Sequence, residues 1–236
     1  MDRTLSYFLI LGEKRQLTGK ELFSFLREKI QPGEVIVCGE PMAYLKLPEF
    51  TSENASTAPK GLWGKMKNKL YRALLDRKMK KLLAVTTEEF PLKVLEACLA
   101  EFLKKECAFR KATKVLIADK SYVDFKELLM PYCSSLNYLE FLVDDSEAYE
   151  YLAEEMYEES GLTVTFTVSK EMGEKYHIVM DVRDDLQIPT DCLAEGCIYF
   201  DAFSDKTKEQ YLRREGKGIT YISPMIYLDR ALKSTV

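Results

Sequence analysis

Two short polar clusters interrupt the most apolar part of this chain, and they contain residue types that bind phosphate and sugar groups. Asp119, Lys120 and Ser121 follow one apolar run, and Asp144 and Asp145 follow the next. A lysine beside the first amides of a helix can bind phosphate, and an aspartate can accept hydrogen bonds from ribose hydroxyls. The same residue types are common in turns and helix caps, and this plainer interpretation is favoured by their frequency there.

The segments around these clusters alternate between strand and helix patterns. Unbroken apolar runs at 114–119 and 138–143 predict buried strands, and an alternating run at 164–168 predicts a strand near an edge. Apolar residues at helical spacing between the runs predict two helices, the second of which ends at Gly161. Parallel strands joined by crossover helices predict an α/β fold with a doubly wound, mostly parallel open sheet.

Familiar catalytic and cofactor-binding motifs are missing from the sequence. No G-x-G-x-x-G occurs and the turn at 119–121 has no glycine, so the fold is predicted to be Rossmann-like without the loop that approaches a diphosphate. The glycines of Gly61-Leu62-Trp63-Gly64-Lys65 are too close together for a Walker motif. The single histidine, His177, begins a strand and is interpreted as structural. We therefore predict no catalytic residue, metal site or cofactor, and the sequence leaves open whether the protein is an enzyme.

Charge is distributed unevenly along the chain. Residues 60–82 contain nine Lys or Arg and one Asp, whereas residues 140–159 contain nine Asp or Glu and no Lys or Arg. The basic segment could contact an anionic membrane, a nucleic acid or an acidic protein. The residues of this predicted interaction surface are Trp63, Lys65, Lys67, Lys69, Arg72 and Lys78. Like charges one turn apart on the acidic helix imply a cationic neighbour, for which the basic segment is the obvious candidate, within one chain or across a homodimer.

Composition limits these possibilities. A net charge of −4 and a pI of about 5.4 do not suit a dedicated nucleic-acid binder, so the basic segment is interpreted first as a solvated helix that packs its apolar stripe on the sheet. The six cysteines show no close C-x-x-C pair, which indicates reduced thiols and predicts a cytoplasmic protein. No apolar run is long enough for a transmembrane segment.

The patterns divide the chain into three parts. Residues 1–61 predict an N-terminal βαββ region that ends in a flexible loop, residues 62–85 the basic amphipathic segment, and residues 86–236 the Rossmann-like α/β domain, beginning with a helix. A strand at 82–85 would join these parts into one continuous domain. Only eight residues separate the alternating run from the strand that begins at His177, so an antiparallel pair is considered there.

Three functions remain compatible with the sequence. The first is a non-catalytic scaffold or regulatory interaction protein, as a monomer or a homodimer, and it is preferred because no catalytic chemistry is recognisable. The second is an enzyme or sensor that binds a small phosphorylated or nucleotide ligand at the carboxyl ends of the strands. The third is peripheral binding to an anionic membrane or nucleic acid through the basic helix.

Overall fold

A computed structural model describes most of the chain as two compact units. The described residues are 7–14, 26–27, 30–49, 62–87, 89–106, 115–118, 125–136, 138–144, 149–167, 175–183, 188–215 and 218–234. The first unit comprises residues 1–35 and 41–90, and the second comprises residues 36–40 and 91–236. The described residues form two separate β-sheets, one of four strands and one of six.

The first sheet is small and mixed. Its strands are β1 (Tyr7–Lys14), β2 (Gly33–Val37), β3 (Glu40–Glu49) and β4 (Thr86–Thr87), and the helix between β3 and β4 is α1 (Leu62–Leu83). β1 pairs in parallel with both β3 and β4. Cys38 and Gly39 join β2 to β3 with φ angles of 51° and 93°, and positive φ at both positions is what a tight two-residue hairpin turn requires.

The structure of this region departs in three places from what the sequence predicted or left open. Thr86 and Thr87 form β4, where the sequence predicted the start of a helix, because pairing with β1 suits these β-branched residues. β3 extends to Glu49, two residues into the polar stretch at 48–61 that the sequence predicts to be a loop. Residues 82–85 do not form a strand, since α1 runs through Leu83 and a turn follows. The rest of the predicted loop, 50–61, lies outside the described residues.

The second sheet confirms the predicted α/β class. Its six strands are all parallel: β5 (Val115–Ala118), β6 (Leu139–Leu142), β7 (Val164–Thr167), β8 (Tyr176–Asp181), β9 (Leu193–Asp201) and β10 (Thr220–Ile222). Its helices are α2 (Leu92–Glu106), α3 (Phe125–Leu129), α4 (Glu150–Ser160), α5 (Lys206–Glu215) and α6 (Pro224–Ser234). Short 3-10 helices occupy Met130–Ser135 and Thr190–Cys192.

Helices pack on both faces of this sheet. On one face, Leu116 and Tyr199 belong to a buried cluster with Leu212 of α5. On the other face, the ring of Phe102 in α2 lies 5.1 Å from the ring of Phe200, the residue next to Tyr199 on β9. Because both faces are covered, β5 and β6 are buried at every position, as their unbroken apolar runs predicted.

The placement of β8 overturns the antiparallel pair considered from the sequence. β7 is an edge strand, as its alternation predicted, and β8 lies beyond β6 and β5, where it pairs in parallel with β5. Residues 168–175 join the two strands and can extend about 26 Å. That length is enough to cross three strand spacings of about 4.8 Å each and to return along a short strand.

Helix ends largely follow the expected signals. Gly161 has φ 72° and donates its N–H to the Tyr157 carbonyl at 2.8 Å, which ends α4 where the sequence predicted. The helical spacing of apolar residues continues to Tyr132, but α3 ends at Leu129. It ends there because Pro131 follows and the chain tightens into a 3-10 helix. The helical spacing of Leu92, Leu95 and Leu99 predicts that all three face the core; Leu95 and Leu99 are buried, whereas Leu92 is 42% exposed at the first position of α2.

Candidate functional site

Five residues at the ends of two strands are predicted to bind a ligand, and the structure describes one of them, Asp144. Asp144 follows β6, and its side chain is 85% exposed. The other four residues lie outside the described part of the chain: Asp119, Lys120, Ser121 and Asp145.

The residues of the predicted basic surface belong to the helix α1. Lys78 is half-buried there. For the remaining residues of that surface the helix backbone is described and the side chains are not: Trp63, Lys65, Lys67, Lys69 and Arg72.

The strand order of the second sheet creates a topological switch point. β5 and β8 are neighbours at the centre, β5 is followed outward by β6 and β7, and β8 is followed in the opposite direction by β9 and β10. In open α/β sheets, ligands bind beyond the carboxyl ends of the strands at such a point. The last residues of three adjacent strands lie in register there: Ala118 of β5, Asp181 of β8 and Asp201 of β9.

A lysine from α5 lies between the two aspartates. Lys208 Nζ donates a hydrogen bond to Asp181 Oδ2 at 2.7 Å and lies 3.6 Å from Asp201 Oδ1. The Lys208 side chain is 6% exposed, and both carboxylates are fully buried. We call these three residues the buried triad. Such burial is tolerated only when each charge has partners, which the lysine and the carboxylates supply to one another.

Two tyrosines complete the bonding of the triad. Tyr199 donates its hydroxyl hydrogen to Asp181 Oδ2, and Tyr221 donates to Asp201 Oδ2 at 2.5 Å. Their rings stack with centroids 6.4 Å apart. Burial raises the pKa of both hydroxyls, and the neighbouring carboxylates raise it further, so each tyrosine stays protonated and acts as a donor.

Asp201 also shapes the turn that leads into α5. Its Oδ1 accepts the Phe203 N–H at 3.0 Å, and its Oδ2 accepts the Asp205 N–H at 2.9 Å. Ser204 has φ 57° in this turn, and its buried hydroxyl has no hydrogen-bond partner among the described residues. Asp205 then caps α5 by accepting the Thr207 N–H at 2.7 Å. The carboxylate therefore holds the turn that presents Lys208 to it.

Burial determines the electrostatics of Asp181. Loss of hydration raises the pKa of this carboxyl group above its ordinary value, while Lys208 and the Tyr199 hydroxyl oppose the rise. Lys208 occupies the position between the two carboxylates that a metal ion would need. Within the described residues, no group of three or more His, Cys, Asp or Glu side chains could hold a metal.

A second ion pair connects the ends of β6 and β8. Arg183 donates from Nη1 to Asp144 Oδ1 at 2.9 Å and from Nη2 to Asp144 Oδ2 at 3.3 Å. The Arg183 side chain is 9% exposed, in contrast to the exposed Asp144. We call this pair the strand-end bridge. Since β5 lies between β6 and β8, the bridge spans the end of β5 at the switch point.

The strand-end bridge is anchored to the buried triad through the backbone of Arg183. The Arg183 N–H donates to Asp181 Oδ1 at 3.0 Å, and the Arg183 carbonyl accepts from Lys208 Nζ at 3.2 Å. The triad therefore fixes the position from which the guanidinium extends. A guanidinium held in this way can bind a carboxylate or a phosphate group with two parallel hydrogen bonds.

The acidic helix α4 forms ion pairs with Lys126, a residue that the sequence analysis did not consider. Lys126 Nζ lies 3.1 Å from Glu155 Oε2 and 2.7 Å from Glu159 Oε1. Elsewhere on α4, two exposed tyrosines flank three exposed glutamates one turn apart. These five residues, which we call the acidic tyrosine face, are Glu150, Glu154, Glu158, Tyr151 and Tyr157.

In the sequence, Asp181 and Asp201 each end an apolar run, whereas no pattern singles out Arg183 or Lys208. Lys208 lies on a helix with mostly exposed polar residues, where a lysine is usually solvated. The available signal was the pair of aspartates at the ends of two apolar strands, because buried carboxylates require a cation. Comparison of the sequence with protein-family models and with curated proteins finds no match.

Proposed function

We propose that this protein is a regulatory protein whose second unit binds a small phosphorylated or nucleotide ligand at the switch point between β5 and β8. The observation that carries the proposal is the anchored Arg183 guanidinium beside the carboxyl end of β5. Ligands of this fold class bind at that place, and phosphate groups are recognised by fixed guanidinium groups. The absence of a G-x-G-x-x-G motif argues for a mononucleotide or sugar phosphate over a dinucleotide.

A sensing role is favoured over catalysis by the state of the nearby polar groups. Lys208 forms ion pairs with both triad carboxylates, and Tyr199 and Tyr221 each donate a hydrogen bond to one of them. A general acid or base must reach the proton it transfers, and buried groups committed to one another do not offer that access. These groups instead support the position of Arg183.

A ligand screen by thermal unfolding of the full chain tests the proposal. The screen would contain AMP, ADP, ATP, GMP, ribose 5-phosphate, glucose 6-phosphate and NAD, with adenosine and glucose as phosphate-free controls. A ligand at one hundred times its Kd stabilises the folded state by about 2.7 kcal/mol, so the melting temperature rises. We expect phosphorylated compounds to raise it and their controls to leave it unchanged. No shift with any compound, together with no binding in equilibrium dialysis, would refute the proposal.

A second candidate function is self-association, supported by the acidic tyrosine face. Tyr151 and Tyr157 are each 62% exposed there, and α1 offers a basic helix on which Leu74 is 43% exposed. Opposite charge and exposed apolar area are complementary features of protein interfaces. The proposed occupant of the face is α1 of a second copy of this chain, which would make the protein a homodimer.

Charge reversal tests self-association. Glu150→Lys with Glu154→Lys, or Lys80→Glu with Lys81→Glu, should each make the protein monomeric in sedimentation velocity at low salt. Mixing the two variants should restore a dimer, because the reversed charges are again complementary. Glu195→Lys, at an exposed position on β9, is the matched control. A wild-type monomer at low salt would rule this candidate out.

We extend the proposal to the cellular location, for which the state of the cysteines is the evidence. Cys98, Cys133 and Cys197 are buried and Cys38 is exposed, and none of these four cysteines forms a disulfide bond. Reduced thiols are typical of reducing compartments, so we propose that the protein is cytoplasmic. In the described part of the chain, no helix has both the length and the apolar character that a membrane span needs.

A further inference from the structure

We infer that the Asp144 carboxylate occupies the place of the ligand's phosphate group on Arg183, and that binding replaces one anion by the other. This inference rests on the proposed ligand site. It names Arg183 as the group that binds the phosphate and Asp144 as the group that competes with the phosphate. The sequence predicted Asp144 as a direct ligand contact, whereas the structure shows it bonded to a guanidinium through both carboxylate oxygens.

The cation is the fixed member of the strand-end bridge. Arg183 is 9% exposed, and its backbone N–H and carbonyl are both bonded to members of the buried triad. A guanidinium does not lose its proton in a protein, so it keeps its charge in this nearly buried position. The guanidinium fork therefore stays able to bind an anion whether or not Asp144 occupies it.

The anion is the replaceable member. The Asp144 side chain is 85% exposed, so its carboxylate can leave the guanidinium for water with little loss of packing. The two N···O distances of 2.9 and 3.3 Å describe a bidentate contact, and the planar guanidinium fork makes the same contact with phosphate oxygens. A phosphate dianion carries more charge than a carboxylate and can displace it from the fork.

The position of the bridge fits this exchange. It crosses the end of β5, which is the place where the strand order directs a ligand. A phosphate that takes the place of Asp144 would release the end of β6 from the end of β8. Ligand binding would thereby change how these two strand ends are connected, which is a suitable output for a sensor.

Binding of inorganic phosphate and of AMP to three variants of the full chain tests the inference by isothermal titration calorimetry. Asp144→Asn keeps the guanidinium and removes the competing charge, so we expect about two- to fivefold tighter binding of both probes. Arg183→Lys keeps a positive charge and loses the fork, so we expect at least about tenfold weaker binding. Arg213→Met removes an exposed cation paired with Glu209 on α5, and its affinity should match wild type.

The possible results separate this inference from the proposed function. If wild type binds AMP and Asp144→Asn binds it equally or more weakly, Asp144 is not a competitor and the inference is wrong while the ligand site stands. Unchanged binding by Arg183→Lys would also overturn it. If neither wild type nor any variant binds a compound of the ligand screen or inorganic phosphate, the proposed function itself fails. Far-ultraviolet circular dichroism at the working temperature verifies that each variant is folded.

Discussion

The buried triad and the strand-end bridge contain the same kinds of charged group in different solvent environments. In the triad, Lys208 and both carboxylates are almost completely removed from water. In the bridge, only Arg183 is buried and Asp144 faces water. Removing Lys208 from the triad leaves two buried carboxylates without the cation they share, whereas water can substitute for Asp144 in the bridge. The comparison indicates that burial of both partners makes an ion pair structural, and burial of one makes it exchangeable.

The largest effect should follow from replacing the triad cation. Lys208→Met leaves two buried carboxylates in register on adjacent strands, and we expect it to lower the free energy of unfolding by about 3–5 kcal/mol. Urea unfolding followed by circular dichroism measures this change. Lys206→Met, two residues earlier at an exposed position, should change stability by less than about 0.5 kcal/mol. Similar stabilities for the two variants would show that the triad is not structural.

A smaller loss should follow from removing one donor of the triad. Tyr199→Phe keeps the buried ring and deprives Asp181 of a hydrogen bond, which should lower the free energy of unfolding by about 1–3 kcal/mol. The measurement is the same urea titration. Tyr157→Phe removes a hydroxyl from a side chain that is 62% exposed and is expected to have no measurable effect. Equal effects of the two changes would contradict the bonding assigned to Asp181.

The raised pKa of Asp181 predicts that the stability of the folded protein depends on pH. The folded protein retains a proton on this carboxyl group at pH values where the unfolded chain, with an ordinary pKa of about 3.9, has released it. The contribution of Asp181 to stability therefore falls as the pH rises through the raised pKa. Stability curves from pH 4 to 8 should show Asp181→Asn gaining on wild type with rising pH. A constant difference between the two curves would count against the raised pKa.

The smallest effect should come from the exposed end of the bridge. Asp144→Asn is expected to lower the free energy of unfolding by at most about 1 kcal/mol, since water can solvate the space that the carboxylate leaves. The melting temperature and the urea midpoint both report this change. A loss as large as that of Lys208→Met would mean that the bridge is structural and would remove the distinction between the two ion-pair groups.

Much of the second sheet could be predicted because its local signals agree with its tertiary environment. The unbroken apolar runs of β5 and β6 predicted buried strands, and helices do cover both faces of the sheet there. Gly161 predicted the end of α4 because glycine readily adopts the positive φ found at that position. The position of β8 could not be predicted, because the length of a connection limits where the next strand lies without selecting its neighbour. Thr86 and Thr87 were misassigned for a related reason, since a two-residue strand is defined by its partner.

The candidate site was harder to predict because it depends on pairs of residues that are distant in sequence. Asp144 was recognised from its position after a strand, but its partner Arg183 approaches from the end of a different strand. The burial of Lys208 comes from the turn that Asp201 organises, and no local pattern distinguishes this lysine from the exposed Lys206. A sequence indicates which strand ends are polar, whereas the strand order determines which of them meet.

The central location of β8 also affects how the second unit assembles. β5 pairs with β6 from the nearby sequence, but its other partner is supplied only after α4 and β7 have been made, as the pairing of Val115 with Ile178 shows. Pairings between distant segments carry a high loop-closure cost and form slowly. During synthesis, one side of β5 therefore waits unpaired for a strand that emerges later, and an unpaired strand edge is prone to aggregation.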